Sequence, residues 1–181
     1  DAVLLTHDHA DHVHGIDDVR ATVIHMRRLM PVYMDARTSV IVRQRFGYCF
    51  ETPIGSEYLP ITREMRITKG HEIVIEGPGG PLKAMPFEVH HGDIDALGFR
   101  FGNVAYTPDI NGIQEESLKA LEGLDVWIID ALRHRPHPSH FTVAEALEWI
   151  SRVKPKRAIL TNLHVDIDYE TLKATLPNHI E

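Results

Sequence analysis

Apolar residues fall into short runs divided by turn-forming residues, and strand-like and helix-like spacings alternate along the chain. The run "AVLLT" (2–6) has the continuous apolar character of a buried strand. Residues 14–30 read as a helix broken by β-branched residues, "PVYM" (31–34) as a strand, and "ARTSVIVRQRF" (36–46) as a helix with Gly47 as its stop. Between 51 and 70, Pro53, Gly55, Pro60 and Gly70 interrupt any period and predict loop with short strands. "HEIVIE" (71–76), "LKAMPFEVHH" (82–91), "ALGFRF" (96–101) and "NVAYT" (103–107) are strand patterns separated by turns such as "GPGGP" (77–81), which predicts an antiparallel meander. "EESLKALEG" reads as a helix and "DVWIIDAL" (125–132) as a buried strand. "TVAEALEWISRV" (142–153) reads as an amphipathic helix opened by a Thr142–Glu145 capping box. "RAILTN" (157–162) is a further strand and "YETLKATL" a closing helix. Helices flank strands at both ends, so a layered α/β architecture with two central sheets is expected.

Composition narrows the setting. A chain of 181 residues suits one domain, 1–181. It opens almost inside a strand and without an initiator methionine, so a fragment lacking its first strands is expected. Apolar residues make up 43% and charged residues 25%, an ordinary globular balance. No apolar stretch approaches the roughly 18 residues of a membrane span and none resembles a signal segment, so the expectation is a cytoplasmic protein without a membrane partner. Cys49, the only cysteine, excludes an internal disulfide and a multi-cysteine zinc site. A net charge of −7 argues against a long groove tracking nucleic-acid phosphates but leaves room for a compact anion held by bound cations.

The candidate chemistry lies mostly where strands run into loops. "THDHADH" (6–12) packs three histidines and two aspartates directly after the first apolar run. Extended backbone puts His7 and His9 on one side, where both imidazoles can grip one cation. The following turn points Asp11 and His12 towards a second cation, and Asp8 falls on the opposite side. Two adjacent metals also need an anionic bridge and further imidazoles. His90 or His91, Asp109 in "YTPD" and His164 after "AILTN" stand at suitable strand ends.

With these residues placed, "LLTHDHADHVHGIDD", "VHHGDIDALGFRFGNVAYTPD" and "AILTNLH" make the chain resemble the metallo-β-lactamase superfamily. The likeness is strongest to the branch of phosphoribosyl cyclic phosphate phosphodiesterases, and more distant to the transfer-RNA 3′-processing nucleases. The resemblance implies an αβ/βα four-layer sandwich with a dinuclear site along one edge. It assigns His7, His9 and His91 to one metal and Asp11, His12 and His164 to the other, with Asp109 bridging. Relatives often read Leu-Thr-His where this chain has Leu160, Thr161 and Asn162, so His164 is expected to serve in place of the usual last ligand.

The segment "DALRHRPHPSHFT" (130–142) adds the remaining candidates. The resemblance puts a catalytic histidine that is not a ligand at His140, and phosphodiester hydrolysis needs such a group to stabilise charge or protonate the leaving oxygen. Arg133, His134 and His137 are candidates for phosphate binding, and Asp130 for orienting a histidine. The expected function is hydrolysis of a small or cyclic phosphodiester or nucleotide by a dinuclear-metal-activated water, with two Zn²⁺ or Mn²⁺ ions and, as an allowed assembly, a homodimer. The alternatives are a thioester or other carbonyl-ester hydrolase, an RNA-processing nuclease, and a metal-binding structural domain without activity.

Overall fold

A computed structural model describes residues 1–181, and their packing divides into two compact units, Asp1–Leu82 and Lys83–Glu181. No helix is long and apolar enough to cross a membrane.

The first unit is built on a three-stranded parallel sheet. Strand β1 (Val3–Leu4) leads into helix α1 (Ala10–Val13), a 3₁₀ segment (His14–Val19) and helix α2 (Arg20–Met26) before β2 (Met30–Met34). The single broken helix expected over 14–30 is therefore two shorter pieces, the 3₁₀ segment and α2, and Met30 already belongs to β2. Gly15 and the Asp17–Asp18 pair favour tight local turns over a continuous ladder, and Arg27 ends α2 in the left-handed conformation with φ 55°. Helix α3 (Ala36–Phe46) starts on Asp35, whose side chain accepts from the Thr38 amide at 2.7 Å. It carries the crossover to β3 (Thr62–Arg66), and β4 (Ile73–Ile75) follows. Parallel pairing in register Val3↔Val32 and Val32↔Glu64 sets β2 in the middle of the sheet, and Val32 and Met34 are fully buried there. α3 ends at Phe46 with Gly47 as its C-cap, as expected, although Gly47 has a right-handed backbone, φ −52°, and opens a short 3₁₀ turn (Gly47–Cys49).

In the second unit the expected meander forms. Strands β5 (Leu82–His91), β6 (Ile94–Phe101) and β7 (Val104–Thr107) pair antiparallel, and the short β8 (Gly112–Ile113) pairs with β5. β9 (Val126–Asp130) and β10 (Arg157–Thr161) continue the sheet in parallel, in the order β10-β9-β7-β6-β5. The helix expected from "EESLKALEG" forms as a 3₁₀ helix over Glu115–Leu121. Helix α4 (Val143–Val153) has the expected capping box, and α5 (Tyr169–Thr175) closes the chain. Trp127 lies fully buried in β9 and donates its indole N–H to Thr107 Oγ1 at 3.0 Å. Gly98 sits beneath Phe87, whose ring would lie 2.6 Å from an added Cβ, so a side chain is excluded there. The result is a rigid sheet whose strands β5, β7, β9 and β10 each run out at a polar residue singled out above.

Candidate functional site

In the first unit the polar cluster forms where β1 ends. His7 is fully buried and its Nδ1 shares a 3.0 Å hydrogen bond with Thr6 Oγ1, which fixes the ring. His9 occupies the N-cap of α1 with extended backbone, and its side chain does not cap the helix. The ring centroids of His9 and His12 lie 4.5 and 4.3 Å from that of His7. Asp11 is exposed and its carboxylate stands 3.3 Å from His12 Nε2. Asp8 turns the other way: its carboxylate faces Arg37 at 3.3 Å, and its carbonyl accepts from Arg45 at 2.8 Å. Two arginines of α3 therefore hold the loop while three imidazoles and one carboxylate converge, a donor set suited to borderline divalent cations.

In the second unit, strand alternation separates the tandem histidines. His90 is exposed and pairs with Asp95 at 3.0 Å, whereas His91 is buried. His91 donates from Nδ1 to the Ser139 carbonyl at 2.7 Å, and its Nε2 stands 3.4 Å from Asp109 Oδ2. A carbonyl can only accept, so the proton sits on Nδ1, and the Nε2 facing a carboxylate has either a second proton or a metal to bind. This orientation of an imidazole by a backbone carbonyl is the arrangement that metal-ligating histidines require. The turn that delivers it depends on Gly92, which has φ +66° and whose missing Cβ would lie 2.9 Å from Ser139 Cβ. Asn111 closes the same corner, accepting from Gly92 N–H at 3.1 Å and donating to the Pro138 carbonyl at 2.7 Å.

Asp109, 3% exposed after Pro108, is the centre of this second set. Its Oδ1 accepts from Asn162 at 3.2 Å, and its Oδ2 lies 3.8 Å from His140 Nε2. His140 is aligned by Asp130, whose Oδ2 accepts a hydrogen bond from His140 Nδ1–H at 2.7 Å. Asp130, fully buried at the end of β9, also accepts from the Ile110 amide at 3.1 Å through the same oxygen, while its Oδ1 has no partner. Burial pushes the Asp130 carboxyl up to about 6, against the opposing pull of His140 and the Ile110 amide. The ring of His137 lies tilted 4.9 Å from that of His140, and its pKa is lowered, first by burial and then by its electrostatic interaction with His140, Arg133 and His164.

Some expected residues stand elsewhere. His164 is exposed, its Nδ1 accepts from the Asp166 amide at 3.2 Å, and its backbone N–H donates to the Leu132 carbonyl at 2.8 Å. Asn162, in a left-handed conformation with φ 63°, is the residue of that loop that reaches Asp109. Arg133 spends its guanidinium on the carbonyls of Arg135 and Pro136, at 3.1 and 2.8 Å, and holds its own loop. Arg135 faces Asp166 at 3.4 Å and His134 is exposed. Asn111 and Ser139 escaped notice in the sequence because they act through a carboxamide and a backbone carbonyl, which leave no motif.

The family model described as "Beta-lactamase superfamily domain" matches residues 1–162. A curated octanoyltransferase of Porphyromonas gingivalis is 32% identical over 99% of this chain, which spans only 36% of that protein's length. The crystal structure of a new diphosphatase from the PhnP family superposes with a TM-score of 0.85 at 32% identity, covering 100% of this chain and 67% of that one. Human tRNase Z, short form, shares the fold with a TM-score of 0.66 at 15% identity, over 91% of this chain and 73% of that one.

Proposed function

Because the chain belongs to the metallo-β-lactamase superfamily, we propose that it is a metal-dependent phosphodiesterase acting on a small or cyclic phosphodiester or nucleotide. In this reading the two donor sets serve one dinuclear centre, with His7, His9 and His91 on one Zn²⁺ or Mn²⁺ ion, Asp11 and His12 on the other, and Asp109 bridging. The residues fit such ions: His91 is held by Ser139 with Nε2 towards a carboxylate, and imidazoles and carboxylates are ligands that zinc and manganese accept. When bound, the ions would supply an activated water and neutralise phosphate oxygens.

The observation that carries the phosphodiester reading is the Asp130–His140 pair beside Asp109. Asp130 fixes the Nδ1 proton, so the opposite nitrogen, Nε2, is the one that exchanges a proton with substrate. As the phosphorus–oxygen bond to the leaving group breaks, a proton on Nε2 passes to the departing alkoxide, and water supplies the new phosphorus–oxygen bond. His137, with its pKa lowered, serves as a neutral hydrogen-bonding wall, while Arg133 shapes the loop and His134 borders it. The diphosphatase for which the similar crystal structure is named makes a diphosphate linkage a second substrate class for the same chemistry.

The deciding assay compares wild type and His140→Ala on bis-p-nitrophenyl phosphate and on a carbonyl ester. Loss of on the order of 10²–10⁴ in phosphodiester turnover is expected. Unchanged phosphodiester turnover, or faster hydrolysis of the carbonyl ester by wild type, would sink the proposal.

A further inference from the structure

At the end of β10 the chain carries Asn162 at the position where the resemblance places a ligating histidine. Asn162 occupies the spot, donating through Nδ2 to Asp109 Oδ1 at 3.2 Å and towards the Pro108 carbonyl at 3.5 Å. His164 is tied away from Asp109 by three features. Its backbone amide is bonded to Leu132, its ring is bonded to Asp166, and the intervening Leu163 packs against the hydrophobic core. Bringing His164 to Asp109 would break those hydrogen bonds and unpack Leu163.

We infer that the two metal positions are unequal: the one served by His7, His9, His91 and Asp109 binds tightly, and the one left with Asp11, His12 and Asp109 is weak and exchangeable because Asn162 stands where an imidazole would complete it. The inference rests on the dinuclear reading above. Three imidazoles and a carboxylate form a nitrogen-rich set that favours zinc. One imidazole with two carboxylates, and at most a neutral carboxamide, is oxygen-rich and admits manganese or magnesium at lower affinity. The left-handed backbone at Asn162 is one that asparagine and histidine both adopt more readily than most residues, so an imidazole can be restored there without refolding the loop.

The test is a titration of chelator-stripped full-length protein with Zn²⁺ against a chromophoric chelator, read as the number and affinity of binding classes. Wild type is expected to show one tight equivalent and a second at least about tenfold weaker. Asn162→His should make the second equivalent tight, while His164→Ala and His140→Ala should leave both classes unchanged. Two equally tight equivalents in wild type, loss of the second class in His164→Ala or His140→Ala, or no gain in a folded Asn162→His protein overturns the inequality while leaving the dinuclear reading in place. Less than one equivalent in wild type overturns that reading and the inference with it. Should Asn162→His fail to fold, wild type and His164→Ala still decide.

Discussion

Asp130 shows how one residue is fitted to its task at a cost in stability. Both of its hydrogen bonds enter one oxygen, the other is buried without a partner, and burial favours the neutral acid. Between the ordinary value of 3.8 and about 6 the folded protein therefore keeps a proton that the unfolded chain has lost. Stability from this group is full below the lower value and declines as pH rises through the upper one. Asp130→Asn removes that dependence. Urea denaturation of chelator-treated protein should show the variant gaining on wild type between pH 4 and pH 6, by at most roughly 3 kcal/mol. A difference that stays constant across that range would refute the assignment. Asp130 is a positioning residue, so the same variant should lose on the order of 10–100-fold in kcat with little change in KM.

Elements carry these residues to where they act, and much of that was legible. A continuous apolar run ending at His7, a strand ending at the tandem His90–His91, and the Thr142–Glu145 box two residues after His140 all follow from local rules, whereas which of the tandem histidines is buried does not. What was not legible depends on contacts distant in sequence. That Asn162 bonds to Asp109 while His164 bonds to Asp166 follows from a left-handed residue and from Leu163 packing on the core, neither of which counting imidazoles can show. β8 is only two residues long and exists because β5 offers it an edge. The corner where Gly92 meets Ser139 is likewise tertiary, and it makes a prediction at this scale. Gly92→Ala strains a φ of +66° and drives a methyl against Ser139, whose carbonyl orients His91. A loss of about 1–3 kcal/mol is expected by denaturant unfolding, together with weaker Zn²⁺ binding. Thr142→Ala, by contrast, should cost about 1 kcal/mol through the lost cap and leave Zn²⁺ affinity unchanged. Equal effects of the two variants on metal affinity would contradict the separate roles given to turn and cap.

At the scale of the whole molecule, charge separates the small-substrate reading from the nuclease one. The chain has 26 acidic and 19 basic residues, and the arginines nearest His140 are occupied within their own loop or by Asp166. A nucleic-acid track needs several cations free to displace counterions, and affinity on such a track falls by about 10³–10⁵ between roughly 50 and 200 mM salt. A substrate engaged through one phosphoryl group has no such dependence. KM for bis-p-nitrophenyl phosphate should therefore change by less than about tenfold over that range. Single-stranded RNA added in micromolar excess at low salt should not inhibit turnover. Strong inhibition by RNA that disappears as salt rises would favour the nuclease reading, because it would reveal a row of phosphate contacts that neither the charge balance nor the committed arginines provide.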